Sequence, residues 1–285
     1  MEESTPTQVS APPTIPLTAA AFEPSGQTAL YWLGSAGFFI NGRGSLLLID
    51  PHITMVAPGR IEGGWRLLID LPIEAAAIPR LDAVLYTHSD GDHLARRSAQ
   101  ALLPTGARYY GPPPALKVLR DLGVPEERLQ AVAYGEQFQV GAVAVTPTPA
   151  DHPHQLRDPA RLGPPFGPGD CCGYLLTTAD GSIWYPGDTR LMPEHLQMRG
   201  VDVLLTDVSR DEWHLGVEDS ARLANAVAAP HLIPHHYGTY DAPRSSAFNG
   251  DPDEVASKVH AAERRFHRLA PGEQFVVRRG APGAS

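Results

Sequence analysis

A chain of 285 residues is long enough for one closed core, or for two half-domains fused into one. With 42% apolar and 19% charged residues its composition is ordinary for a globular protein, and 23 basic against 32 acidic residues give a net charge of −9. That balance argues against a dominant basic face, and with it against a nucleic-acid backbone as the main partner.

Residues 1–25 are rich in Pro, Thr, Ser and Ala, with Glu2 and Glu3 and no Lys or Arg. A secretory signal needs a basic start and a long apolar centre. The segment is therefore expected to be a mobile leader, or to pack on a partner subunit, ahead of a single domain over 26–279. No apolar run nears the ~20 residues of a membrane helix, so the expected location is cytoplasmic. Strands are expected at 28–33, 38–41 and 45–50, broken by Gly turns. Residues 52–79 are punctuated by Gly and Pro and read as a long surface excursion. Strand 83–87, the loop 88–93 and helix 94–103 follow. Next come strand 108–110 and helix 113–122, whose prolines fall in its first turn. Strands 130–139 and 142–149 flank the turn Val140-Gly141.

The second half repeats the theme: strands 173–178, 182–185 and 201–206, helix 217–227, strand 231–234, helix 252–268 and strand 274–278. In helix 252–268, Val255, Val259, Ala262 and Phe266 recur at 3–4 spacing and predict a core-facing stripe. Cys171 and Cys172 are adjacent, which excludes a disulfide scaffold; they read as a small buried pair entering a strand. Residues 280–285 are expected to fray. Two strand-rich halves with helices outside suggest two sheets packed face to face, although periodicity alone says only mixed α and β.

The chemistry gathers where apolar runs end. After 81–86 comes Thr87-His88-Ser89-Asp90-Gly91-Asp92-His93, in which His88, Asp90, Asp92 and His93 are all metal-ligand types. Asp-Gly-Asp alone is common turn chemistry. But matching pieces recur in order: Ala150-Asp151-His152 after 142–149, Pro186-Gly187-Asp188-Thr189 after 182–185, and His235-His236-Tyr237-Gly238-Thr239 after 232–234. Strand ends that repeatedly deliver His or Asp point to a metal, or a pair of metals.

The ordered strings H-x-[H or D]-x-D-H, a lone His, G-D-T and P-x-H-Y-G-T resemble the metallo-β-lactamase superfamily, and its ascorbate-6-phosphate lactonase-like branch in particular. Trp32-Leu33-Gly34-Ser35-Ala36-Gly37-Phe38, Leu48-Ile49-Asp50-Pro51 and His214-Leu215-Gly216-Val217-Glu218-Asp219 extend the likeness to about residues 28–279. The resemblance implies an α+β fold, the four-layer αββα sandwich of the metallo-β-lactamase type. It also implies self-association into a homo-oligomer. It assigns His88, Asp90 and His152 to a first divalent ion, Asp92, His93 and His236 to a second, and Asp188 to both. A shared hydroxide would then be the nucleophile, because a bound cation lowers the pKa of water from ~15.7 towards ~7. Asp92 would orient it and carry a proton to the leaving group, so Asp92 and Asp188 are the expected catalytic residues.

The expected activity is hydrolysis of a lactone, other ester, amide or phosphoester bond in a small anionic molecule. Asp90 departs from the His that many members carry. A hard oxygen there weakens the preference for Zn²⁺ and favours Mn²⁺ or Fe. It also opens an alternative, a diiron oxidoreductase or oxygenase on the same fold; a binding protein with a degraded site is a third. Of the neighbours His235 and His236, the position before Tyr237-Gly238-Thr239 selects His236, leaving His235 buried with a hydrogen bond or exposed. Asp50 is placed to support a ligand histidine from behind. Candidates for touching substrate are His52, Trp65, Arg66, His154, Arg157, His214 and Tyr237, with Arg60 and Arg161 near the same mouth; arginines beside such a centre suit a carboxylate or phosphate.

Overall fold

The computed structural model describes residues 8–280. In the first half, strands β1 (Thr28–Gly34), β2 (Gly37–Gly42) and β3 (Ser45–Ile49) form an antiparallel meander. A two-stranded ribbon, β4 (Met55–Ala57) and β5 (Arg60–Ile61), rises from the 52–79 excursion. Strand β6 (Ala83–Leu85), helix α1 (Arg96–Ala101), strand β7 (Arg108–Gly111), helix α2 (Pro113–Asp121) and strand β8 (Leu129–Ala131) complete this half. In the second half, β9 (Phe138–Val140), β10 (Val143–Pro149), the short α3 (Pro159–Leu162), β11 (Cys172–Thr177), β12 (Ser182–Tyr185) and β13 (Val203–Asp207) are followed by α4 (Gly216–Val227), β14 (His231–His235), α5 (Pro252–Ala256), α6 (Ala262–Arg265) and β15 (Gln274–Val276).

The two large sheets share a plan. The seven-stranded sheet runs β15-β1-β2-β3-β6-β7-β8 and the six-stranded sheet runs β14-β13-β12-β11-β10-β9. Each pairs an antiparallel meander with parallel strands: β3, β6, β7 and β8 in one, β12, β13 and β14 in the other. Strands β1–β3 are buried on both faces, which is why they read as nearly continuous apolar runs. Leu30, Trp32, Phe38, Ile40, Leu47 and Ile49 face the second sheet, whose Val143, Val145, Tyr174, Leu176 and Tyr185 belong to the same core. The alternate residues Tyr31, Leu33, Phe39, Leu46 and Leu48 turn outward onto α1 and α2 through Ala99, Leu102, Leu116 and Leu119. Helix α4 covers β13 with Ala221, Leu223, Ala224 and Val227. The result is the expected α+β sandwich, two sheets between helical layers.

Four expectations differ from what is found. Residues 8–25 do not stand away from the body. Gln8 Nε2 donates to the Tyr240 carbonyl at 2.6 Å, Ser10 bridges Gly238, Ile15 N donates to Pro271 O and Leu17 N to Pro72 O. A Pro-rich extended segment cannot satisfy its own backbone donors, and here neighbouring strands and loops do so. Residues 1–7 of the expected leader lie outside the described residues, as do 281–285 of the expected frayed tail; Gly280 N donates to Asp202 Oδ1 at 2.8 Å. The expected strand 130–139 is two strands, β8 and β9, in different sheets, so this segment crosses from one sheet to the other.

Helix 94–103 shrinks to α1, closed by a 3₁₀ turn at Leu103–Thr105. Helix 252–268 breaks into α5 and α6, with Ala261 between them at φ 53°. Its apolar stripe survives the break: Val255 and Val259 are buried, and Ala262 and Phe266 pack against the core. Cys171 and Cys172 are free and buried where β11 begins, and burial pushes the Cys172 thiol up to about 12.

Candidate metal centre

The parallel strands of both sheets end on the same edge, where open α/β sheets collect their ligands. There β3 leads into Asp50, β6 into Thr87 and His88, β12 into Asp188, β13 ends at Asp207 and β14 leads into His236. The antiparallel β10 adds His152 from beside them. Two residues take left-handed backbone angles to aim their side chains: Asp50 at φ 44° and His236 at φ 64°. Neither is glycine, so each costs of order 1 kcal/mol and is held by its surroundings. Gly187 makes the turn before Asp188 at φ 71°; a Cβ there would stand 2.8 Å from the Cys172 carbonyl.

These turns bring His88, Asp90, Asp92, His93, His152, Asp188 and His236 together. Asp188 is central: Oδ1 lies 3.0 Å from His236 Nε2, and Oδ2 lies 3.0 Å from His93 Nε2 and 4.0 Å from His152 Nε2. Asp92, His93, Asp188 and His236 form one compact set of donor atoms, and His88, His152 and Asp188 another. Asp90 joins the second set, its Oδ2 3.3 Å from His88 Nε2 and 3.6 Å from His152 Nε2.

The hydrogen bonds behind the rings fix which nitrogen faces inward. Buried Asp50 takes the N–H and Oγ–H of Thr87 at 2.8 and 2.6 Å and the His93 Nδ1–H at 2.8 Å. With its own proton committed to Asp50, Thr87 Oγ1 accepts from His88 Nδ1 at 2.9 Å. His152 Nδ1 donates to the Trp213 carbonyl at 2.8 Å, and His214 Nδ1 to Asp207 Oδ2 at 2.7 Å. Each of these rings therefore presents Nε2 to the centre.

The site fits divalent metal. His88 Nε2 is buried without a hydrogen-bond partner. Its 3.3 Å from Asp90 is long for a charge-assisted hydrogen bond. It is close to the roughly 3.4 Å that separates two donors sharing one cation at 2.0–2.2 Å in tetrahedral geometry. The field is also strongly negative. Against the desolvation that opposes it, Asp188, Asp92 and Asp50 raise His93 well above the usual histidine range, and Asp188 and Asp207 push His214 up to about 10. Desolvation raises Asp90, yet His88 and His152 hold it well below the usual carboxylate range.

A cavity of about 380 Å³ opens above, lined among others by Trp65, Asp90, Asp92, His154, Arg157 and His214. Leu162 and Phe248 add apolar wall. Arg157 Nη2 lies 2.5 Å from Asp211 Oδ2, so part of its charge is spent within the protein. Arg161 pairs with Asp158 on the surface.

Three sequence candidates do not reach this cavity. His52 is buried behind it, Nδ1 2.8 Å from the Tyr240 hydroxyl; desolvation, opposed by Asp92, pushes it down to about 4. Arg66 points to solvent and faces Asp241 at 3.7 Å, because the ribbon's pairing turns Trp65 inward and its neighbour out. Tyr237 is buried and stacks on Trp32 at 5.1 Å, since a residue following His236 faces the opposite way.

His235 is neither exposed nor hydrogen-bonded. Both ring nitrogens are unpartnered, and the ring sits edge-on to Phe38 and Tyr185. Burial pushes its pKa down to about 3, which keeps it neutral.

Asp207, which anchors His214 beside Asp188, and Phe248 of the cavity wall were not among the residues expected from sequence. Asp207 ends β13, one residue beyond the expected strand. The signal was present, since Thr206-Asp207 closes an apolar run just as the other donors do.

The family model of the beta-lactamase superfamily domain matches residues 46–237. A UPF0173 metal-dependent hydrolase of Methanoculleus marisnigri is 30% identical over 252 residues, 87% of this chain and 96% of that protein. Among solved structures, the isothiocyanate hydrolase from Delia radicum gut bacteria is similar with TM-score 0.68 and 20% identity, over 88% of this chain and 99% of that one. CmlA, a diiron beta-hydroxylase from Streptomyces venezuelae, is similar with TM-score 0.64 and 17% identity, over 90% of this chain and 55% of that one. These two are likenesses of fold. Family match, curated relative and the ordered donors at the strand ends agree: the chain belongs to the metallo-beta-lactamase superfamily, among its metal-dependent hydrolases.

Proposed function

We propose that the centre is dinuclear and hydrolyses a lactone, other ester, amide or phosphoester bond of a small anionic molecule. The observation that carries this reading is the pair of donor sets meeting at Asp188. His88, Asp90 and His152 would hold one divalent ion, Asp92, His93 and His236 the other, with Mn²⁺ or Zn²⁺ the best matches to a mixed imidazole and carboxylate set. Three aspartates offset the repulsion between two cations. Bound there, such ions supply a Lewis acid and water acidified towards neutral pH.

The remaining work falls to side chains. Asp92 lines the cavity, where it would accept a proton and pass it to the leaving group. His214, anchored by Asp207, turns Nε2 towards Asp188 at 3.5 Å and can hydrogen-bond a substrate oxygen beside it. Trp65, Phe248 and Leu162 give the cavity its apolar wall. Half-exposed Arg157 offers charge to a carboxylate or phosphate on the substrate. Lactone opening is the narrower form of this reading, supported by the motif order that resembles the lactonase-like branch.

A second reading, diiron oxidative chemistry, is favoured by Asp90, a hard oxygen donor among the histidines. Elemental analysis of chain purified without added metal separates the two. About two Zn or Mn per chain supports hydrolysis, and turnover of ester, lactone and phosphoester panels should follow. About two Fe with O₂ consumption would replace it by the oxidative reading. No metal, even when supplied, would sink both.

A further inference from the structure

His154 is one donor more than the two sets require. It opens the 3₁₀ turn His154–Arg157, two residues beyond His152. Its Nδ1 is buried and has no hydrogen-bond partner. That nitrogen lies 3.3 Å from Asp90 Oδ2, and its ring centroid is 4.7 Å from that of His152. Asp90, His152 and His154 present donor atoms all within 4.8 Å of one another.

Spacing separates the two ordinary explanations. An imidazole that hydrogen-bonds a carboxylate closes to about 2.8 Å, as His93 does on Asp50 at 2.8 Å and His214 on Asp207 at 2.7 Å. Around Asp90 Oδ2 the three histidine nitrogens stand off: His88 at 3.3 Å, His152 at 3.6 Å and His154 at 3.3 Å. Those are close to the spacing of donors around a cation, about 3.4 Å.

We propose that His154 is a metal donor, completing through Nδ1 the coordination of an ion held by Asp90 and His152. The proposal rests on the metal-centre reading above. It changes the chemistry of that position. A further imidazole beside His152 offsets the hard oxygen of Asp90 and moves the preference from Mn²⁺ back towards Zn²⁺, Co²⁺ or Fe²⁺. It also ties the metal to the rim, because the segment that starts at His154 carries the cavity residues Arg157 and Leu162.

The test uses Co²⁺ as probe on the full chain, followed by visible absorption and by titration calorimetry. The parent is expected to bind two ions. His154→Ala should keep one site unchanged and weaken the other about ten- to hundredfold, with a shifted absorption band that free imidazole restores. His154→Gln, similar in bulk but without the ring, should show the same loss with unchanged far-UV circular dichroism, which separates lost ligation from lost folding. If both variants keep the parent's affinities and bands, His154 is not a donor and the two-ion reading stands without it. A parent that takes up no Co²⁺ overturns both.

Discussion

In the floor beneath the cavity, where His152 and Asp188 reach its lining, His88, His93, His152, Asp188 and His236 are buried and leave the ends of β6, β10, β12 and β14, and three of the rings are hydrogen-bonded from behind. On its rim, Trp65, His154, Arg157, Leu162 and Phe248 stand on loops and short turns and are partly exposed. The floor is over-determined by strand register and buried carboxylates. The rim is held by a few contacts, such as Trp65 on Phe248 at 4.6 Å and Arg157 on Asp211. On the proposed reading, chemistry is fixed by the scaffold and selectivity by segments that can change without disturbing it.

Substitutions can break that division. Asp188→Ala removes the group common to both donor sets. It should carry metal content from about two ions towards none and cut turnover by more than the ~100-fold typical of residues behind a ligand; retention of both ions by elemental analysis would show that Asp188 is not shared. Asp50→Ala should act through the floor without touching substrate. It strips His93 and Thr87 of a buried partner and should cost about 3–5 kcal/mol in denaturant unfolding, with weaker metal binding alongside.

His235 tests the layer beneath. Its folded pKa of about 3 lies below the ordinary 6.5. The unfolded chain therefore gains a proton that the folded chain refuses as pH falls from 6.5 towards 3. This penalty is absent above 6.5 and grows by about 1.4 kcal/mol per pH unit below it. His235→Leu should lose that penalty, so the stability difference between variant and parent should slope with pH only in that window. A flat difference would mean the ring is hydrated or charged.

On the rim, Arg157→Ala should raise KM for an anionic probe such as p-nitrophenyl phosphate about tenfold and leave kcat near the parent's, with the metal content intact. A matching fall in kcat would move Arg157 from the rim to the chemistry. Arg66→Ala should change stability by less than about 0.5 kcal/mol and kinetics not at all, since its one ion pair is exposed.

The same division explains what could be read from sequence. The floor was legible because each donor closes an apolar run, and a strand end fixes direction as well as position. Asp207 follows the same rule, standing one residue beyond the expected strand 201–206. The rim was not legible. Whether Trp65 or Arg66 faces inward depends on how the segment after the β4–β5 ribbon is pinned, with Arg66 bridged to Arg60 and Leu67 to Tyr240, the latter a long-range contact with no local signal. The break at Ala261 is similar. Nothing in residues 252–268 ends a helix by itself, and the stripe that suggested one long helix is satisfied equally well by two short ones.

Each donor set draws from both sheets. His88, Asp90, Asp92 and His93 follow β6 in the seven-stranded sheet, while His152, Asp188 and His236 follow strands of the six-stranded one. Any ion bound there is a rivet through the seam of the sandwich. At a free concentration a hundredfold above its dissociation constant, one such ion adds about 2.7 kcal/mol to the folded state. Scarcity of metal would then shorten the lifetime of the protein itself, by easing the opening that proteases need, as well as idling its chemistry.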